Sequence, residues 1–210
     1  MRIALLGAES TGKTTLAAQL AAALRRDGHR VAVVPELLRE WCERERRTPR
    51  PQEHLAIAQE QEQRVEAAAS AAQVVIADTT ALMVAVWSGL LFEGDPLLRF
   101  ALERQRGYDL TLVTGLDLPW VADGVQRDAA HGREPVDALV RELLERAGVA
   151  YRVVYGHGEE RLRNALAALP QGLAPRPVQP ASSRAGWQWR CEQCSDPDCE
   201  HRLFTSLARR

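Results

Sequence analysis

Apolar and polar positions along this chain follow two different periods. Short, nearly unbroken apolar runs occur at Ile3 to Leu6, Arg30 to Val34, Gln73 to Asp78, Tyr108 to Thr114 and Tyr151 to Tyr155. Runs this short, rich in Val, Ile and Leu, predict strands covered on both faces. Between them lie longer stretches whose apolar residues recur every three or four positions. Leu16, Leu20 and Leu24 repeat at i, i+4 and i+8 within Thr15 to Leu24. Val136, Leu139, Val140, Leu143 and Leu144 share one face within Pro135 to Ala147. Both stretches predict amphipathic helices. Helices are also predicted over Gln52 to Ala72, Thr79 to Leu91, Leu97 to Arg106 and Gly158 to Leu169. Strands alternating with helices predict an α/β fold: a parallel five-stranded sheet, right-handed crossovers, and helices on both faces as a three-layer sandwich. Trp120 to Glu134 is polar and reads as a loop or short helix. Pro170 to Pro180 carries four prolines in eleven residues, a linker composition. The predicted organisation is a domain over 1–169, a linker over 170–186 and a Cys/His tail over 187–210.

The junction of the first strand and first helix reads Gly7-Ala8-Glu9-Ser10-Thr11-Gly12-Lys13-Thr14, followed by Thr15. It fits G-x-x-x-x-G-K-[ST], the P-loop pattern, in the strand–loop–helix context that gives the pattern meaning. Glycines let successive backbone N–H groups turn inward, and the helix N-terminus adds positive potential for a phosphate. Lys13 brings a compact cation to the transferring phosphates, and the Thr14 hydroxyl is a Mg²⁺ ligand in such loops. Of the 27 basic residues, Lys13 is the sole lysine. A planar guanidinium does not replace a compact ammonium in a tight cradle, which explains why this position alone keeps Lys. The motif therefore implies ATP and Mg²⁺ as cofactors.

Composition narrows the setting. The chain has 210 residues, 46% hydrophobic and 26% charged, with a net charge of −1. Such a balance supplies no bulk attraction to nucleic acid or to an anionic membrane. Met1-Arg2 leads straight into the first strand, and no apolar run approaches the ~20 residues of a membrane span. A cytoplasmic protein is expected. Expected partners are ATP and a small substrate, with no membrane and no nucleic acid; a homodimer is allowed.

Three further groups carry candidate chemistry. Asp78 closes the third strand, where a carboxylate can hold Mg²⁺ or serve as a base, a role compatible with capping the next helix and favoured over capping alone by the phosphate loop. Glu36 follows the second strand, at the sheet edge where ligands bind in α/β folds. It is a second candidate base or a ribose ligand, with Arg39 three residues on. Arg127 and Arg133 lie in the polar stretch after the fourth strand, where small P-loop kinases close a lid over the phosphates. The tail carries Cys191-x-x-Cys194-x₄-Cys199-x-His201. Three thiolates and an imidazole form a recognised zinc set, although the closing Cys-x-His is tight. Zinc is the candidate ion there.

In order and spacing these residues resemble the ribosylnicotinamide kinase domain of NadR-type proteins. The phosphate loop through Leu16, the Glu36-Leu37-Leu38-Arg39-Glu40-Trp41 stretch and Gln61 in the long helix are similar to that family's motifs. So are Ile76-Ala77-Asp78-Thr79, Phe92-Glu93-Gly94 and Trp120 to Arg127. The resemblance covers about residues 1–169. It implies a nucleoside-kinase-like fold and transfer of phosphate from ATP to the 5′-hydroxyl of nicotinamide riboside or a related nucleoside. Asp78 or Glu36 would handle that hydroxyl, with Trp41 and Trp87 as candidate flanks of the base. A competing expectation is an ATP-binding switch or adaptor that acts through a zinc-bearing tail.

Overall fold

The five apolar runs form one sheet. The computed structural model describes residues 1–89, 95–120, 132–171 and 173. The chain separates into two units, Met1–Pro175 and Arg176–Arg210, and the sheet with its helices belongs to the first. Its elements run β1 (Arg2–Leu6), α1 (Lys13–Arg26), β2 (Val31–Val34), α2 (Leu37–Glu45), α3 (His54–Ala71) and β3 (Val74–Asp78). They continue with α4 (Ala81–Ser88), α5 (Pro96–Gln105), β4 (Leu110–Thr114), α6 (Arg133–Ala147), β5 (Tyr151–Val154) and α7 (Gly158–Ala167). The strand order is β2-β3-β1-β4-β5, and every pairing is parallel.

Successive side chains in a strand point to opposite faces, so each strand feeds two cores. Ile3, Leu5, Val74, Ile76, Leu112 and Val154 pack against Leu16, Leu20 and Leu24 of α1 and Ala165 of α7. On the other face, Leu6 and Val113 meet the apolar sides of α2 to α6, while Ala4, Val75 and Ala77 meet Val65 of α3. Leu20 is fully enclosed. Truncating such a residue to alanine leaves a void and costs about 2–5 kcal/mol.

Helix starts differ from the periodic pattern by a few residues, for local reasons. α1 begins at Lys13 rather than Thr15, because Gly12 turns left-handed and its carbonyl accepts the first helical bond from Leu16 N at 2.9 Å. α4 begins at Ala81, two residues late, because Thr79 sits at φ +73° and Thr80 is the cap, its hydroxyl accepting from Leu82 N. α6 begins at Arg133, two residues before Pro135. Proline fits there because the first turn of a helix has no internal partner for its N–H groups. Phe92-Glu93-Gly94, most of the Trp120 to Glu134 stretch, and the linker and tail beyond 173 lie outside the described residues. No described helix is long and apolar enough to cross a membrane.

Topology creates the crevice. The chain leaves β1 through α1 on one face, and leaves its neighbour β3 through α4 and α5 on the other. Diverging exits from adjacent parallel strands open a cleft at their carboxyl ends. The phosphate loop and Asp78 both lie at that edge.

Candidate active site

The loop between β1 and α1 needs its glycines for separate reasons. Gly7 has φ +140°, and a Cβ there would collide with Thr114 Oγ1 on β4. Gly12 has φ +76°, and its Cβ would lie 2.9 Å from a Leu118 methyl. A side chain at either position would push the loop away from the sheet. Thr11 is turned inward. Its hydroxyl donates to Ala8 O at 2.7 Å and accepts from Thr114 Oγ1 at 2.6 Å, an oxygen that also lies 3.1 Å from Leu6 O. These bonds stitch the loop to β4 from beneath.

A cavity of about 390 Å³ opens over the loop, lined by Ser10 to Thr15, by Arg39, and by Leu118 and Pro119. The Lys13 ammonium donates to Gly7 O at 3.0 Å and Ala8 O at 2.8 Å, and lies 5.7 Å from the centre of the Trp87 ring. Burial pulls its pKa below the usual amine value, while Glu36 and Asp78 hold it up through their charge. Both carboxylates thus act on the same ammonium. Neutralising neighbours of this kind keep a buried cation charged.

Thr14 Oγ1 donates to Asp78 Oδ2 at 2.5 Å, and Asp78 Oδ1 is buried with no hydrogen-bond partner among the described residues. Capping of α4 falls to Thr80. Asp78 is therefore spared the structural duty that an Asp at a strand–helix junction often has. A hydroxyl beside a carboxylate with a spare oxygen is a hard donor set, the chemistry Mg²⁺ prefers.

Glu36 sits at the start of α2, only 6% exposed, with Oε2 at 3.1 Å from Arg39 Nη2. Gln61 holds the turn around it: Gln61 Oε1 accepts from Leu37 N at 2.8 Å and Nε2 donates to Pro35 O at 3.3 Å. Gln61 is fully enclosed, so it supports Glu36 through the backbone instead of facing a ligand. Trp41, the other expected flank of a base, belongs to the core, with the Arg47 guanidinium 4.6 Å from its ring centre. Trp87 is the tryptophan that the structure brings near the loop. Arg133 is buried; Nη1 donates to Leu118 O at 2.9 Å, and Nε and Nη2 have no partner among the described residues. Arg127 lies outside the described residues. So do Cys191, Cys194, Cys199 and His201, and no cluster of three or more His, Cys, Asp or Glu suited to a metal occurs among the described residues.

Periodicity did not flag several residues that build the site. Glu62 is buried on α3, accepting from Ala81 N at 2.9 Å and from Tyr108 Oη at 3.1 Å, and so anchors the start of α4. Burial raises its pKa against those two bonds. Gln105 bridges Thr80 and Thr111. Arg161 on α7 reaches the phosphate loop itself, donating to Thr11 O at 2.9 Å. The one available signal was its position four residues before Ala165, on the apolar face of that helix.

A parallel sheet of this order, with a phosphate loop after β1 and an acid at the end of β3, defines a P-loop NTPase fold. The family model described as an AAA domain matches residues 2–161, and the chain belongs to that family. Among solved structures it is similar to a NadR protein in complex with NAD and AMP-PNP, with a TM-score of 0.64, 21% identity, and coverage of 80% of this chain and 48% of that one. A NadR protein in complex with NR gives 0.64, 20%, 80% and 49%. The chain spans about half the length of these NadR chains, and at this identity the likeness is one of fold. Comparison with curated proteins gives no match.

Proposed function

We propose that this protein is an ATP-dependent small-molecule kinase that phosphorylates the 5′-hydroxyl of nicotinamide riboside or a related nucleoside, a step of NAD biosynthesis. The observation that carries the reading is a buried Glu36, held 3.1 Å from Arg39 beside the cavity that Arg39 lines, whose charge acts together with that of Asp78 on the Lys13 ammonium. A nucleotide switch needs the loop and the metal-binding acid. A kinase also needs a second carboxylate, available to an incoming hydroxyl. The fold shared with NadR structures bound to NR and to AMP-PNP supports the same class of substrate.

In this reading the Gly7 to Thr15 loop, Glu9 and Ser10 included, holds the phosphates, and Lys13 turns from its loop carbonyls to the transferring group. Thr14 and Asp78 fit Mg²⁺, since Asp78 Oδ1 is buried and unspent. The ion would neutralise charge on the phosphate oxygens. Asp78 Oδ2 is already engaged by Thr14, so Glu36 is assigned the proton. The substrate O–H bond breaks toward Glu36 as its oxygen bonds to the terminal phosphorus, and the phosphorus–oxygen bond to ADP breaks. Arg39 orients Glu36, Trp87 borders the base, and Arg133, with Arg127, supplies positive charge to the phosphoryl group in flight.

A screen that follows phosphorylated product from Mg·ATP and a panel of nucleosides tests this. Stoichiometric ADP and nucleotide from one nucleoside is the expected result. ATP hydrolysis indifferent to every nucleoside would overturn the kinase reading and favour the switch.

A further inference from the structure

The guanidinium of Arg161 joins three loops at the carboxyl edge of the sheet. Nη1 donates to Asp117 Oδ1 at 2.9 Å and to Gly156 O at 2.9 Å. Nη2 donates to Thr11 O at 2.9 Å and to Gly115 O at 3.2 Å. The acceptors come from the segments that follow β1, β4 and β5. Asp117 closes the arrangement, because its Oδ2 accepts from Gly156 N at 2.6 Å. Burial raises the Asp117 pKa, but the Gly156 amide and the Arg161 charge outweigh it and hold the group below its usual value. The partner of Arg161 is thus an anion at neutral pH. Arg161 itself is 4% exposed and does not line the cavity.

The bond to Thr11 O has a geometric consequence. In a planar trans peptide the carbonyl and the following N–H point in opposite directions. The chain has no cis peptide at this point. Drawing the Thr11 carbonyl toward α7 turns the Gly12 N–H the other way, to the cavity side of the loop. The inward Thr11 side chain, held by Ala8 O and Thr114, fixes the Thr11 Cα from which that peptide starts. Planarity and the spread of five donors suit Arg to this task; a lysine ammonium cannot span four acceptors in three loops.

We infer that Arg161 is a positioning residue for nucleotide binding: from behind the phosphate loop it aims the Gly12 amide at the phosphate and ties that orientation to the turns after β4 and β5. The inference rests on the nucleotide-binding part of the proposed function, but not on the identity of the acceptor.

The test uses the full chain and measures Mg·ADP and Mg·ATP affinity directly, beside KM, kcat and the thermal midpoint. R161Q is expected to weaken nucleotide affinity and raise the KM for ATP by about tenfold, the order of one charge-assisted hydrogen bond. At temperatures where the variant is folded, kcat and the KM for the acceptor should move less than about twofold. R161K, which reaches one acceptor set at a time, should recover part of the loss. A folded R161Q with unchanged nucleotide affinity, or with both substrates weakened alike, would overturn the inference and leave Arg161 a clamp of the fold alone. Should R161Q fail to fold, D117N serves, since it removes the charge that orients Arg161 and keeps the shape. A nucleotide-selective loss of about threefold supports the inference, and unchanged affinity overturns it. Wild-type protein that binds Mg·ADP but phosphorylates no nucleoside would sink the proposed function and leave this inference standing.

Discussion

Thr14 and Asp78, 64 residues apart in sequence, are joined by a 2.5 Å hydrogen bond from hydroxyl to carboxylate Oδ2 at the head of the sheet. The register puts Asp78 opposite Leu5, one residue from the end of β1, so the two strand ends meet where the loop begins. The other carboxylate oxygen, Oδ1, is buried and has no partner among the described residues. Asp78→Asn keeps the shape and removes the charge. It is expected to lower kcat by about 10²-fold or more and to raise the Mg²⁺ concentration needed for half activity. Thr14→Ser, which keeps the hydroxyl, should stay within about threefold of wild type, on the scale where a retained hydrogen bond changes little. A magnesium titration of both variants decides, and a wild-type curve for Asp78→Asn counts against the pairing.

Lys13 is buried among loop carbonyls, and burial works against its charge. Lys13→Ala removes that unfavourable desolvation together with the cation. The variant should stay folded by circular dichroism and lose turnover. Lys13→Arg should fail as well, because the guanidinium is too broad for a cradle with Gly7 and Gly12 packed this closely.

Glu36 and Asp78 have different surroundings, which separates their roles. Glu36→Gln is expected to reduce kcat by about two to four orders of magnitude, the usual range for a lost general base, with little change in ATP affinity. Gln61→Leu leaves Leu37 N without its acceptor and should lower kcat less, through displacement of Glu36. Steady-state kinetics on the pair, with ATP binding measured separately, checks the order. Glu36→Gln with wild-type kcat would return the base role to Asp78.

Glu62 makes stability depend on pH. Burial lifts its folded pKa above its unfolded value near ~4.3. Below that unfolded value the carboxyl is protonated in both states and adds no penalty. As pH rises through the folded pKa, the carboxylate must be carried in its buried site and the fold weakens. Glu62→Gln keeps an acceptor oxygen for Ala81 N and presents an amide N–H that the Tyr108 hydroxyl can accept. Its thermal midpoint should exceed that of wild type at pH 8, and the difference should vanish toward pH 4. An equal difference at both pH values would mean that packing, not ionisation, is responsible.

Much of the site was legible because its chemistry is local. The phosphate loop is one contiguous run, although the contacts that require its glycines, Thr114 at Gly7 and Leu118 at Gly12, come from across the fold. Glu36 and Asp78 announce themselves as acids that end apolar runs. The illegible part depends on contacts made across the fold. Trp41 and Trp87 are both helix-borne tryptophans, and sequence offered no way to separate them. Packing sent Trp41 into the core beside Arg47 and left Trp87 near Lys13. Gln61 sits on the long helix as expected, yet its amide is spent on Pro35 and Leu37.

By itself, the amino-acid order determined the alternation of strands and helices, the parallel sheet, the phosphate loop and its lone lysine. These come from periodicity and from bonds between near neighbours, which short stretches of chain encode. Strand order, the meeting of Thr14 with Asp78, the burial of Glu62 and the reach of Arg161 to Thr11 were decided by tertiary structure. Each joins groups distant in the chain. Such pairs are set by how two cores pack on opposite faces of one sheet, which no local pattern contains.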